Sequence, residues 1–148
     1  MKKFEFTGET KINAFGVKLF RIRCTVAFGD VEVGDVGGWI EKENNLSDDA
    51  WVCDDAWVCG NAQVFGDARV SGNARVFGNA DYCCFQCFGG ENRTTTVFRT
   101  EAGIRVSCGC FFGTLDEFAQ AVEKTHGDNK YGKAYKAMIE LIKVRFSE

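Results

Sequence analysis

Residues 50–80 read AWVCDDAWVCGNAQVFGDARVSGNARVFGNA, and this stretch decides the fold prediction. Alanine recurs at every sixth position from Ala50 to Ala80, and valine keeps the same step from Val52 to Val76. From Gly60 onward, each alanine follows a glycine and an Asn or Asp. The repeating unit is therefore Val-x-Gly-(Asn/Asp)-Ala-x.

A six-residue step favours short strands over a helix. At 3.6 residues per turn the step would scatter the valines around a helix, whereas an even step keeps them on one face of an extended chain. Glycine followed by Asn or Asp supplies residues that tolerate positive φ at a corner. The predicted inward positions are Ile40, Leu46, Val52, Val58, Val64, Val70, Val76 and Tyr82.

This pattern resembles the hexapeptide repeats of left-handed β-helix proteins, in which three hexads make one triangular coil. The resemblance implies a mainly β fold: a short left-handed parallel β-helix over residues 39–82, with an N-terminal β cap over 1–38 and a C-terminal α+β cap over 83–148. Eight inward positions make fewer than three coils. Both ends therefore need caps from the flanking segments.

The flanks contain the elements that such caps require. Residues 4–6, 18–26 and 31–33 are β-prone, and three antiparallel strands are predicted at 81–88, 94–100 and 104–112. Thr114 and Glu117 form a capping box that begins a helix ending at Gly127. A second helix is predicted at 130–146. The C-terminal cap is thus expected to have three strands and two helices.

Residues 28–41, FGDVEVGDVGGWIE, indicate a second resemblance. Together with the Asn-Ala-x-Val units that follow, they are similar to a group of uncharacterised phage and prophage proteins, and the Gly-Gly-Trp-Ile-Glu block is the most specific part. The resemblance implies a viral accessory protein in the cytoplasm of a host bacterium. It offers no catalytic residues to transfer.

Charge and composition exclude several classes. A net charge of -3 and a pI near 5.3 argue against direct binding to a nucleic-acid backbone. The N-terminus has two lysines but no apolar run of signal-peptide length, and no stretch predicts a membrane span. We therefore expect a bacterial cytosolic protein that does not enter a membrane.

The eight cysteines are expected to be free thiols, because the cytosol is reducing. Cys83, Cys84, Cys87, Cys108 and Cys110 include four thiolates with zinc-site spacing. In regular strands, however, Cys84 and Cys87 point to opposite faces, which favours burial as apolar thiols. We predict no metal and no cofactor, while zinc binding by this group stays open.

The only histidine, His126, raises the question of catalysis. Hexapeptide β-helices often belong to acyltransferases that use a histidine base. Beside Gly127, at the predicted end of a helix, a histidine is better explained by the favourable helix dipole. The short repeat also leaves little room for a cleft. We therefore predict that the chain is not an enzyme, with an acyltransferase-like enzyme as an alternative.

The candidate binding surface follows from the 18-residue coil, in which outward residues 18 apart stack in ladders. Trp57 is expected to stack with Arg75, and Trp51 with Arg69. Aromatic rings and arginine are the residue types that dominate interface hot spots. The predicted binding residues are Trp39, Trp51, Trp57, Arg69, Arg75 and Phe77. Either a flanking cap, a second subunit or a partner is expected to cover this face.

An acidic patch is predicted beside it. Nine acidic residues and one lysine lie between Asp30 and Asp55, and the patch itself comprises Asp48, Asp49, Asp54 and Asp55. Such a run is usually a solvated face. The alternative is a docking surface for a basic, nucleic-acid-binding host protein.

These features predict a non-catalytic binding protein, and the phage resemblance favours an anti-CRISPR-like counter-defence inhibitor that binds a host protein or signalling molecule. Homo-oligomerisation is expected as well. A structural or assembly protein of the virion is a further alternative.

Overall fold

The computed structural model describes residues 2–89, 93–109 and 111–147. Within them the chain forms strands, two α-helices and two short 3-10 helices at Glu43–Asn45 and Asn79–Asp81. In chain order the strands and α-helices are β1 (Phe4–Ile12), β2 (Lys18–Cys24), β3 (Val36–Ile40), β4 (Trp51–Val52), β5 (Trp57–Val58), β6 (Arg69–Val70), β7 (Arg75–Val76), β8 (Tyr82–Phe88), β9 (Arg93–Thr100), β10 (Gly103–Cys108), β11 (Phe111–Gly113), α1 (Leu115–His126) and α2 (Lys130–Arg145).

The prediction of a left-handed parallel β-helix is wrong. The described strands belong to three separate sheets, ordered β1-β2-β3-β5-β7, β11-β10-β9-β8 and β4-β6, and none of these sheets is closed or forms a solenoid. Most pairing is antiparallel, because the long strands β1, β2, β8, β9 and β10 pair with antiparallel neighbours. Each parallel pair extends over only two residues. The flanks therefore supply most of the sheet structure.

Locally, the hexapeptide segment (residues 46–82) does pair at a spacing of 18 residues. Trp39, Trp57 and Arg75 lie side by side on β3, β5 and β7, and Trp51 pairs with Arg69. Positive φ recurs every six residues, at Asp48, Asp54, Gly60, Gly66 and Gly72. The pattern ends at the 3-10 helix Asn79–Asp81, where Ala80 is exposed.

The first core is built on the repeat. All eight predicted inward positions are buried, which confirms that part of the sequence interpretation. Ile22 of β2 and Phe98 of β9 pack into the same cluster from the two flanks. Burial of aliphatic side chains from three parts of the chain, at about 1.5–3 kcal/mol each, is the main stabilising contribution here.

The C-terminal unit has four strands, not the predicted three. Gly109 adopts a φ of 58° and separates β10 from β11, which pair as antiparallel neighbours within residues expected to form one strand. The capping box is confirmed, since the Thr114 Oγ1 accepts from the Glu117 N–H and Glu117 accepts from the Thr114 N–H. α1 and α2 pack on this sheet through a second core that includes Val106, Phe118 and Ile142.

The sheet β11-β10-β9-β8 also covers the end of the hexapeptide segment. The Oγ1 of Thr96 accepts a hydrogen bond of 3.0 Å from the Arg69 N–H, and Ala74 forms an antiparallel bridge with Thr100. Backbone donors at the edge of β6 and β7 would otherwise need another partner. β9 therefore belongs to the second core on one face and to the first core, through Phe98, on the other.

Candidate functional site

Trp39 is covered by the N-terminal hairpin. Its side chain packs with Leu19 of β2 and with Cys59 in a small cluster on the outer face of β3. The Nζ of Lys11 lies 4.3 Å and the guanidinium of Arg21 lies 5.2 Å from the centroid of its ring. At 7% exposure Trp39 contributes to the packing of the hairpin and not to an open surface.

Trp57 and Arg75 form the predicted cation–π pair. The Arg75 guanidinium carbon lies 3.9 Å from the centroid of the Trp57 ring. Arg75 also donates to the carbonyl oxygen of Asp55 at 2.8 Å and pairs with Glu101 at 3.3 Å. Because its side chain is mostly buried, the pair is near the desolvated end of the usual range, about 2 kcal/mol.

Trp51 and Arg69 lie side by side on β4 and β6, as the 18-residue spacing predicts, and both contact Phe28. Trp51 is buried, and its ring meets that of Phe28 edge-on, with centroids 5.7 Å apart. The Arg69 guanidinium lies 5.5 Å from the centroid of the Phe28 ring, and Arg69 donates to the carbonyl oxygens of Asp49 and Ala68. The segment between β2 and β3 thus occupies the surface that the sequence had assigned to binding.

Two rings of the aromatic face stay exposed, and together they form the Phe15–Phe77 patch. Phe77 is 40% and Phe15 is 74% exposed, and their centroids lie 5.3 Å apart in an edge-on contact. Phe77 also meets Trp57 edge-on at 6.3 Å. The patch therefore rests on the Trp57–Arg75 pair.

Sequence reasoning missed Phe15. The turn that carries it is held by Asn13, whose Oδ1 accepts from the N–H groups of Phe15 at 2.9 Å and Val17 at 3.1 Å. Asn, followed three residues later by Gly16 at a φ of 82°, indicates a tight connection that offers no core position. The presence of a phenylalanine in such a turn was the sequence signal that could have revealed this exposed ring.

Residues of the predicted acidic patch also accept hydrogen bonds from backbone N–H groups and form an ion pair. The Oδ2 atoms of Asp48 and Asp54, both at positive φ, accept from the N–H groups of Gly66 at 3.1 Å and Gly72 at 3.0 Å, each 18 residues further on. Asp49 forms an ion pair with Lys3, and the Asp55 side chain is exposed. The four residues lie along successive corners of the repeat and keep their charges at the surface.

Five of the described thiols have little nucleophilic character. Burial raises the pKa of Cys53, Cys59 and Cys83 to about 11, and it raises the pKa of Cys24 and Cys84 as well. Across the described residues, no three His, Cys, Asp or Glu side chains are grouped so as to hold a metal ion. Cys110 and the Cys87 side chain lie outside that part of the chain, so the expectation that the full cysteine group holds no metal stays a prediction.

His126 lies in the last turn of α1, before the Gly127 cap, as the sequence predicted. Its ring stacks on Tyr135 of α2, with centroids 5.7 Å apart and an angle of 19° between the planes. It also lines a cleft between the helices and the four-stranded sheet. The histidine is therefore placed by α1–α2 packing and lies far along the chain from the aromatic face.

No protein-family model matches the chain, and no curated protein matches it significantly. Among the described residues, no helix has the length and apolar character needed to cross a membrane. The phage resemblance stays a prediction.

Proposed function

We propose that this chain is a non-catalytic binding protein whose Phe15–Phe77 patch contacts a host protein in the bacterial cytosol. The observation that carries the proposal is the exposure of two phenylalanine rings on a base of Trp57 and Arg75. Exposed aromatic rings backed by tryptophan and arginine are typical of interface hot spots.

The patch is held in place before any partner arrives. The Phe77 N–H donates to the Asp81 Oδ2 at 2.9 Å, and Asn13 holds the turn that carries Phe15. Arg75 contacts the ring of Trp57, the Asp55 carbonyl and Glu101 together. A preorganised surface loses little conformational entropy on binding, so more of its contact energy contributes to affinity.

Charge supports a partner with a basic surface. Asp54 and Asp55 are exposed, and Asp55 adjoins the Trp57–Arg75 pair through its hydrogen bond with Arg75. The net charge of the chain is also negative. The negative charge of the whole chain would speed association with a basic protein, such as one that binds nucleic acid. A counter-defence role is the form of this function that the phage resemblance favours.

The test uses the immobilised chain to capture proteins from bacterial lysate, followed by measurement of affinity with the purified captured protein. We expect Phe15→Ala with Phe77→Ala to weaken binding by at least about tenfold, since two hot-spot rings are lost. Leu141→Ala with Val144→Ala is the matched control, because these exposed apolar side chains lie on α2. Binding should also weaken as salt rises.

Two results would contradict the proposal. One is equal affinity for the Phe15→Ala, Phe77→Ala variant and the control. The other is turnover of acyl-CoA by the purified chain without a stable protein partner, which would favour the acyltransferase alternative. Particles whose mass grows with concentration in light scattering would instead favour an assembly protein.

A further inference from the structure

Three buried donor groups beside the turn that joins β1 to β2 have no hydrogen-bond partner. They are the Nδ2 of Asn13 and the Nε1 atoms of Trp39 and Trp57, and no described residue accepts a hydrogen bond from them. Such a group has given up its hydrogen bonds with water without replacing them, so it costs free energy. Native structures keep few groups of this kind, and each of them needs a physical explanation.

The three groups belong to one layer on the outer face of the sheet. Trp39 and Trp57 are direct neighbours on β3 and β5. The Nζ of Lys11 lies 4.3 Å and 5.6 Å from the centroids of their rings. Asn13 follows Lys11 by two residues, and side chains at that spacing share one face of an extended chain. Val17 packs against the same cluster. The turn from Asn13 to Val17 therefore lies against the two indole rings.

The polar side chains that contact these rings cannot satisfy the donors. Lys11, Arg21 and Arg75 hold their cationic groups 4.3 Å, 5.2 Å and 3.9 Å from a ring centroid, and ammonium and guanidinium groups have no acceptor. The amide of Asn13 is fixed in its orientation, because its Oδ1 already accepts from two N–H groups of the turn. The closed turn thus keeps several donors together without an acceptor.

Few of the described contacts outside the turn hold it closed. Residues 14–16 are exposed, and the hydrogen bonds of the turn join Asn13 to its own neighbours. Beyond the turn, Phe15 meets Phe77 edge-on, and Val17 packs against the ring layer below. A segment with so little buried apolar contact opens at a free energy below that of global unfolding.

We infer that this turn is a lid, which opens while the rest of the fold stays intact. In the open state water accepts from the three donors, and Phe15 leaves Phe77. The closed state, in which the Phe15–Phe77 patch is preorganised, stays the major one. Opening would therefore regulate the patch, and in this respect alone the inference rests on the proposed function. The opening itself is measured on the chain without a partner.

Hydrogen–deuterium exchange of the indole N–H protons, followed by NMR below the urea unfolding transition, tests the lid. We expect the Trp39 and Trp57 protons to exchange at rates that hardly change with urea, because local opening exposes little new surface. The backbone N–H of Cys53 donates to the Val70 carbonyl oxygen at 2.9 Å and is the control. Its exchange should show the full urea dependence of global unfolding.

Two exposed glycines provide a matched pair of variants. Gly16 has a φ of 82° and Gly34 a φ of 95°, and a Cβ would meet nothing within 4 Å at either position. Alanine therefore strains the two backbones in a similar way, but only Gly16 lies in the turn. Gly16→Ala should speed exchange of the two indole protons by at least about fivefold, and Gly34→Ala should leave it within about twofold. Far-UV circular dichroism would show that both variants fold.

The inference is overturned if the two indole protons exchange with the same urea dependence as the Cys53 N–H, because global unfolding alone would then uncover them. It is overturned too if Gly16→Ala and Gly34→Ala change the indole exchange equally. Failure to capture a host protein, together with the expected exchange behaviour, would contradict the proposed function and support the lid.

Discussion

Gly60 and Gly78 occupy the same position in successive parts of the repeat, 18 residues apart, but they should respond very differently to alanine. Gly60 has a φ of 62°, and a Cβ there would lie well inside van der Waals distance of the Phe77 carbonyl oxygen. Gly78 has a φ of -170°, which is extended backbone, and a Cβ there would meet nothing within 4 Å. The two substitutions are therefore a matched pair.

The magnitude follows from two contributions. Alanine in the left-handed region costs about 1–2 kcal/mol, and a methyl group forced against rigid backbone costs about 1–3 kcal/mol. We expect Gly60→Ala to lower the free energy of unfolding by about 2–5 kcal/mol. Gly78→Ala should change it by less than about 0.5 kcal/mol, as is usual for surface substitutions.

Urea and thermal denaturation, followed by far-UV circular dichroism at equal protein concentration, would measure both variants. For a chain of this size, about 3 °C of Tm corresponds to each kcal/mol, so Gly60→Ala should melt at least about 6 °C below the parent. The reasoning is refuted if Gly60→Ala lies within about 1 kcal/mol of the parent, or if Gly78→Ala loses as much as Gly60→Ala.

Two further predictions concern the first core and the thiols. Val64 is fully buried, so Val64→Asp should prevent folding, because the carboxylate finds no partner in an apolar cluster. The exposed Val33 provides the control, and a soluble Val64→Asp chain with the circular dichroism of Val33→Asp would show that the core is misplaced. Cys53 and Cys83 should react slowly with iodoacetamide at pH 8 in the native chain and quickly in urea, since burial raises their pKa to about 11. In the unfolded chain these thiols ionise near their usual pKa of 9, so the free energy of unfolding should fall as the pH rises from about 9 to about 11. Fast native labelling, or an equal fall in a Cys53→Ser, Cys83→Ser variant, would contradict this.

The sequence predicted local geometry better than architecture. Every predicted inward position is buried, and Trp57 pairs with Trp39 and Arg75 in the expected register. The register follows from the six-residue step and the corner residues, which are local properties of the chain. The number of strand residues in each hexad, by contrast, depends on pairing with distant parts of the chain. The repeat does not reveal that β1 and β2 extend the sheet from β3 in the antiparallel sense.

Dependence on contacts between distant parts of the chain also explains why the sequence did not show which residues of the candidate site are covered. Trp51 and Trp39 are outward from the repeat, so the sequence correctly excluded them from the inner face. It could not show that Phe28 and the N-terminal hairpin would cover them, because those contacts join residues far apart in the chain. Phe15 was missed for the same reason, since its neighbour Phe77 is distant in sequence.

The tryptophans are distributed so that indole fluorescence reports on one half of the molecule only. All three tryptophans contact the first core or the cluster outside it, and the second core has tyrosine and phenylalanine instead. Indole emission thus follows the loss of the hexapeptide segment, whereas the helical signal near 222 nm follows α1 and α2. Strands β8 and β9 contribute to both cores, β8 through Tyr82 and Cys83 and β9 through Phe98 and Val97. Coincident unfolding curves from the two signals would therefore measure how tightly these two shared strands couple the two cores.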